Sequence, residues 1–108
     1  MESKIYSFIG LAKKANRMVS GDETCERIIK KARAALVIVT DDASDNTKKK
    51  YKNLCNYKNV QYRVFGSKDL LGKYLGKDIR SVIVITESGF ANKLIEMIDK
   101  EGLKTEVT

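Results

Sequence analysis

No histidine occurs anywhere in this chain, and that absence removes the commonest general base, the Ser/His and Cys/His nucleophile pairs and the usual zinc patterns. Proline is also absent, and no stretch rich in Gly or Ser reads as a linker. There is no low-complexity tract and no repeat of solenoid length. Only two cysteines are present, Cys25 and Cys55, far apart in sequence. Each reads as a small core residue in a reducing compartment rather than a metal ligand or half of a disulfide. No uninterrupted apolar span reaches the ~20 residues needed to cross a bilayer, and no signal peptide opens the chain. A cytoplasmic protein with no membrane partner, no metal site and no cofactor is expected.

What is present points to an anionic partner. Lysine and arginine number 21 against 14 acidic residues, a formal charge of +7, with a pI near 9.4. That is the range of a nucleic-acid-binding domain. Hydrophobic residues make up 43%, too many for a disordered chain. At 108 residues the chain makes one domain, expected over residues 1–102 with a flexible tail at 103–108.

Periodicity places the elements. Ile5, Phe8, Ile9, Ala12 and Ala15 recur at helical spacing, which predicts a helix from Ser3 to Asn16. A short strand over Arg17 to Ser20 precedes the Gly21 turn, and Cys25, Ile28, Ile29 and Ala32 mark the buried side of a second helix. The β-branched run Ala35 to Thr40 reads as a central strand covered on both faces. Asp41, Asp42, Ser44 and Asp45 offer turn chemistry and an N-cap for a third helix with Tyr51, Leu54 and Cys55 inward. Val60 to Phe65 alternates like an edge strand, with Val60, Tyr62 and Val64 on one side. Ser67 caps a short helix, Val82 to Ile85 is a second buried strand, and the last helix carries Phe90, Ala91, Leu94, Met97 and Ile98 and stops near Gly102. Strands alternating with helices predict a three-layer α-β-α sandwich.

The stretch from Gly10 to Arg27 carries the functional signal. Small residues at Ser20 and Gly21 let the backbone approach a ligand, and the helix that follows presents unpaired amides to a phosphate or base edge. Arg17 before the turn and Arg27 after it can flank one bound anion. The plainer alternative has Ser20 capping the helix, Asp22 and Glu23 complementing its dipole, and both arginines solvated.

This stretch, Ala35 to Val39 with Asp41 and Asp42, the segment Val60 to Gly72 and the strand Ser81 to Thr86 together resemble the kink-turn-binding ribosomal protein family. That family is the large-subunit "L seven Ae" group with its eukaryotic "L thirty" relatives, and the nearest branch is the short bacterial YlxQ type. The resemblance implies a four-stranded mixed sheet and a non-catalytic RNA-binding protein of ribosomal type. Its partner would be structured, kink-turn-like RNA, with ribosomal RNA as one candidate, and no DNA specificity is implied. Gly21 matches the family glycine and Arg27 its lysine, which the family points at guanine carbonyls in sheared G·A pairs; Arg or Lys serves that acceptor edge equally in sign. Glu23 stands where the family has asparagine and Thr24 where it has glutamate. Glu23 accepts hydrogen bonds but cannot donate, and it repels phosphate; Thr24 reaches only a weak or water-bridged contact. Lys14 and Arg17 lie on the same edge.

The second contact region implied by the resemblance is the loop Gly76-Lys77-Asp78-Ile79-Arg80. Ile79 would pack on an extruded nucleotide while Lys77 and Arg80 meet phosphate. An ordinary turn with Ile79 dipping into the core is the alternative. Lys48, Lys49, Lys50 and Lys52 form a charge run that reads first as a solvated face, on a helix the resemblance sets away from the RNA. Two other functions are open. One is a protein-interaction module of the same fold. The other is a magnesium-binding enzyme or phosphorelay domain built on Asp41, Asp42, Asp45 and Thr86, although Gly66-Ser67-Lys68 lacks P-loop spacing.

Overall fold

The computed structural model describes the backbone of residues 2–107 and the side chains of residues 2–102. In chain order the elements are α1 (Glu2–Lys14), β1 (Met18–Ser20), α2 (Asp22–Lys30), β2 (Leu36–Val39), α3 (Asp45–Lys58), β3 (Gln61–Val64), α4 (Lys68–Tyr74), β4 (Val82–Ile85) and α5 (Ser88–Val107).

Helix ends follow local chemistry. Asn16 and Asn59 adopt left-handed conformations after α1 and α3, and the next amides, of Arg17 and Val60, close back on the carbonyls of Ala12 and Cys55. Asparagine tolerates that geometry because its short polar side chain bonds locally. Ser44 caps α3 through its hydroxyl, which accepts from the Thr47 amide at 3.1 Å, and Ser67 caps α4 by accepting from the Leu70 amide at 3.2 Å.

The strands form one sheet in the order β1-β4-β2-β3, with β2 and β3 parallel and the other two pairings antiparallel. This is the four-stranded mixed sheet that the resemblance implies. β2 and β4 are buried on both faces, as their unbroken apolar runs predict. Leu36, Ile38, Ile83 and Ile85 pack beneath α1, α4 and α5, together with Ile5, Ile9, Leu71 and Leu94. Val37, Val39, Val82 and Val84 point the other way, onto Cys25 and Ile29 of α2 and Tyr51 and Cys55 of α3. Strand alternation thus divides one sequence run between two cores and makes three layers.

β3 is an edge strand, as expected. Val60 and Tyr62 pack toward α2 and α3, whereas Arg63 turns to the opposite side and pairs with Asp99 of α5 at 2.8 Å. Three details differ from the sequence reading. Ala32 does not mark the buried side of the second helix: α2 ends at Lys30, and Ala32 lies beyond it, exposed and in a left-handed conformation. α5 continues to Val107 instead of stopping near Gly102, because Gly102 does not adopt the positive φ that ends a helix. Leu54 is only half-buried. The flexible tail expected at 103–108 concerns side chains outside the described residues.

Candidate nucleic-acid interface

The sheet topology decides which sequence candidates meet. β1, β2 and β3 all end at the same edge of the sheet, and antiparallel β4 begins there. Gly21 therefore leaves β1 beside Val82, whose carbonyl accepts from the Gly21 amide at 3.2 Å. Gly21 sits at φ 93, ψ 147, a region reserved for glycine, and is itself the N-cap of α2. The first helical bond runs from the Cys25 amide to the Gly21 carbonyl, so the amides of Asp22, Glu23 and Thr24 precede the helical ladder and have no intrahelical acceptor. Ser20 does not cap the helix, against the plainer reading of the sequence. Its hydroxyl instead accepts from Arg80 Nε at 3.2 Å.

That contact ties the second candidate region to the first. Arg80 also donates through Nη1 to the Ile79 carbonyl at 2.7 Å, and its amide bonds the Lys68 carbonyl at 3.2 Å. The loop folds back on α4 through the Lys77 amide, which donates to the Gly72 carbonyl at 2.8 Å. A Cβ on Gly72 would sit 2.5 Å from the Asp78 carbonyl oxygen, so the loop lies this close only because residue 72 lacks a side chain. Ile79 is 49% exposed and does not enter the core. Lys77, Glu23 and Arg27 are exposed and Thr24 is half-buried.

α1 contributes from the flank. Lys13 donates its ammonium to the Leu75 carbonyl just before the loop, and Lys14 lines a groove with Tyr74 and Gly76. Arg17 does not join Gly21. The register pairs Met18 with Ile85 and Ser20 with Ile83, and the Thr86 amide donates to the Arg17 carbonyl, which puts Arg17 at the opposite sheet edge. Four extended residues at about 3.3 Å each separate it from Gly21 by roughly 13 Å. Its charge lies near Glu87, whose carboxyl is held below its ordinary range chiefly by the amides of Phe90 and Gly89. The expectation that Arg17 and Arg27 flank one anion at the turn is corrected on this ground.

The charges beneath α2 were not legible locally. Lys50 of α3 lies 3.1 Å from Asp22 and 2.7 Å from Glu26, and the Tyr51 hydroxyl donates to both the carboxylate and the carbonyl of Asp22. The tyrosine hydrogen bond first, then Lys50, holds the Asp22 carboxyl below its usual value, and hydrogen bonds from Lys30 and Lys50 take Glu26 down to about 2. The lysine run is thus partly committed within the protein, Lys50 to α2 and Lys48 to Asp41 at 3.9 Å. The resemblance sets α3 apart from the RNA, yet its Lys50 reaches the first turn of α2.

The proposed magnesium pocket is not assembled. Asp41 and Asp42 follow β2, whereas Thr86 follows antiparallel β4 and lies at the other sheet edge. Asp42 is used locally, accepting from the Lys68 amide at 3.0 Å at the start of α4.

Comparison with known proteins places this geometry. The model of the ribosomal protein L7Ae/L30e/S12e/Gadd45 family matches residues 3–95, nearly the whole described fold. The chain belongs to that family. Among L7Ae-family relatives, the RNA-binding protein YlxQ of Bacillus subtilis is 45% identical over 94 residues, covering 87% of this chain and 94% of its own. A YlxQ of Enterococcus faecium is 36% identical over 96 residues, covering 89% and 92%. A Bacillus halodurans protein of unknown function superposes with a TM-score of 0.86 at 35% identity, over 91% of this chain and 99% of that one. The Giardia lamblia 15.5kD RNA binding protein shares the fold, with a TM-score of 0.72 at 22% identity over 88% and 82%. Among the described residues no helix is long and apolar enough to cross a membrane.

Proposed function

We propose that this L7Ae-family chain is a non-catalytic RNA-binding protein that takes structured, kink-turn-like RNA, ribosomal RNA included, at the sheet edge where β1 ends, and that it works in the cytoplasm. The observation that carries this reading is the Arg80–Ser20 contact. It holds a guanidinium and the exposed Ile79 beside the first turn of α2, whose N-cap Gly21 offers no side-chain cap. Amide donors at a helix start and a fixed guanidinium suit phosphate and the O6/N7 edge of guanine. An exposed aliphatic side chain next to them suits the face of an unstacked base. Gly21 gives close backbone approach, Arg27 reads guanine, and Lys14, Lys77 and Arg80 neutralise phosphate. Glu23 and Thr24 face the same RNA as acceptors and water-bridged contacts. Arg17, at the far sheet edge, would meet only a longer RNA that wraps the domain.

The test is binding, in moderate salt, of a kink-turn RNA and of a matched RNA with its G·A pairs disrupted, using wild type and Arg27→Ala. The expected result is preference for the intact motif and a loss of about 1–3 kcal/mol with Arg27→Ala. Equal binding of both RNAs, unchanged by the substitution, would overturn the recognition mechanism and favour an interaction module.

A further inference from the structure

Tyr74, the last residue of α4, is an aromatic ring held on one face and open on the other. It stacks on Tyr6, with ring centroids 5.1 Å apart and planes 14° from parallel. Tyr6 is itself fixed, because it is buried, packs against Phe65 and accepts through its hydroxyl from the Ser67 amide at 2.9 Å. Tyr74 covers this buried ring and yet remains 41% exposed. Its outer face is therefore a rigid aromatic surface turned to solvent.

That surface borders a groove of about 600 Å³ between α1 and the end of α4, where Ser7, Leu11 and Lys14 face Tyr74 and Gly76. Residue 10 in its floor is a glycine, and Leu11, 54% exposed, adds an apolar wall. Among the described residues that line it the charged ones are Lys13 and Lys14, with no carboxylate. The Leu75 carbonyl anchors the Lys13 ammonium, and because that acceptor is neutral the positive charge stays in the groove.

The groove is continuous with the proposed RNA edge. Gly76 opens the loop that carries Lys77, Ile79 and Arg80, and the Arg80 amide is bound at Lys68, six residues or about 9 Å along α4 from Tyr74. In the other direction α1 leads from Lys14 to Arg17 in three residues.

We infer that this groove takes a single-stranded RNA segment adjoining the structured motif, with one base stacked on the outer face of Tyr74 and its phosphates beside Lys13 and Lys14. The inference rests on the RNA-binding reading above and extends its footprint from the sheet edge onto α1. Stacking on an aromatic face combined with a basic groove is how single strands are held, and every base has a π-face, so the subsite is tolerant of sequence.

The experiment measures binding, in moderate salt, of the kink-turn RNA alone and of the same RNA with four unpaired adenosines at its 5′ or its 3′ end, and follows the amide resonances of residues 7–14 and 74–76. A tail of four abasic nucleotides carries the same phosphates without bases and separates stacking from charge. The expected result is that one adenosine tail tightens binding at least about fivefold over its abasic counterpart, with shifts centred on Tyr74. Tyr74→Ala should remove that gain and Tyr74→Phe should keep it, while the untailed RNA binds all three proteins alike. Since Tyr74→Ala also uncovers Tyr6, Leu11→Glu at an exposed helix position supplies a second variant, which should keep the melting temperature and weaken only the tailed RNA. Adenosine and abasic tails that bind alike, a gain that survives both Tyr74→Ala and Leu11→Glu, or shifts away from the groove would overturn this inference while leaving the kink-turn preference standing. Loss of that preference in the untailed RNA would overturn the underlying reading and this inference with it. An eight-residue glutamate-rich peptide that shifts the groove resonances where no tail does would assign the groove to an acidic protein segment instead.

Discussion

Gly21 shows how much of the proposed interface rests on one backbone conformation. A Cβ there would meet nothing within 4 Å, so substitution is penalised by φ 93 alone, not by crowding. Gly21→Ala should lower the unfolding free energy by about 1–3 kcal/mol in urea titration, or else rotate the first turn of α2 and weaken RNA binding instead. The two buried thiols make a different residue-scale test. Burial pushes Cys25 up to about 12 and Cys55 up to about 11. Both should resist iodoacetamide at pH 8.5 in the folded protein and react fully in denaturant. Their raised values favour the protonated native form. That contribution is complete below the unfolded thiol value of about 8.5 and is lost as pH climbs through 11 to 12. The melting temperature should accordingly fall on the alkaline side of about pH 9.

Among the elements, the 76–80 loop is placed by α4 more than by its own sequence. Gly72→Ala drives a methyl into the Asp78 carbonyl, and relief requires the loop to lift. Overpacking of this kind costs about 1–3 kcal/mol, and the lifted loop should also release Arg80 from Ser20. RNA affinity should therefore drop with Gly72→Ala even where circular dichroism is unchanged, whereas Lys73→Ala on the exposed side of α4 should do neither. The elements themselves were legible because Ile5, Ile9 and Ala12 repeat at helical spacing and Leu36 to Val39 form an unbroken apolar run. What escaped was pairing across distance. Nothing near Ser20 announces Arg80, sixty residues on, and nothing near Asp22 announces Lys50 and Tyr51. The separation of Arg17 from Gly21 likewise follows from antiparallel register with β4, which local spacing does not encode.

For the whole molecule, charge segregation sets how binding responds to salt. Each phosphate neutralised should contribute about −0.7 to −0.9 to the slope of log affinity against log salt. Arg27→Ala should reduce that slope by about one unit, while Lys50→Ala, whose charge already serves Asp22 and Glu26, should change it little. The two layers are also unequal. Among the described residues, fifteen buried ones make the core under α1, α4 and α5, against eight under α2 and α3. The element that starts the proposed RNA edge thus rests on the thinner core, and local opening is easiest where fewest apolar contacts must break. Amide protons of α2 should exchange with solvent ahead of those in α1 and α5. A partner seated over Gly21 would slow exchange there first, so the weaker half of the fold doubles as the place where occupancy can be read without a label.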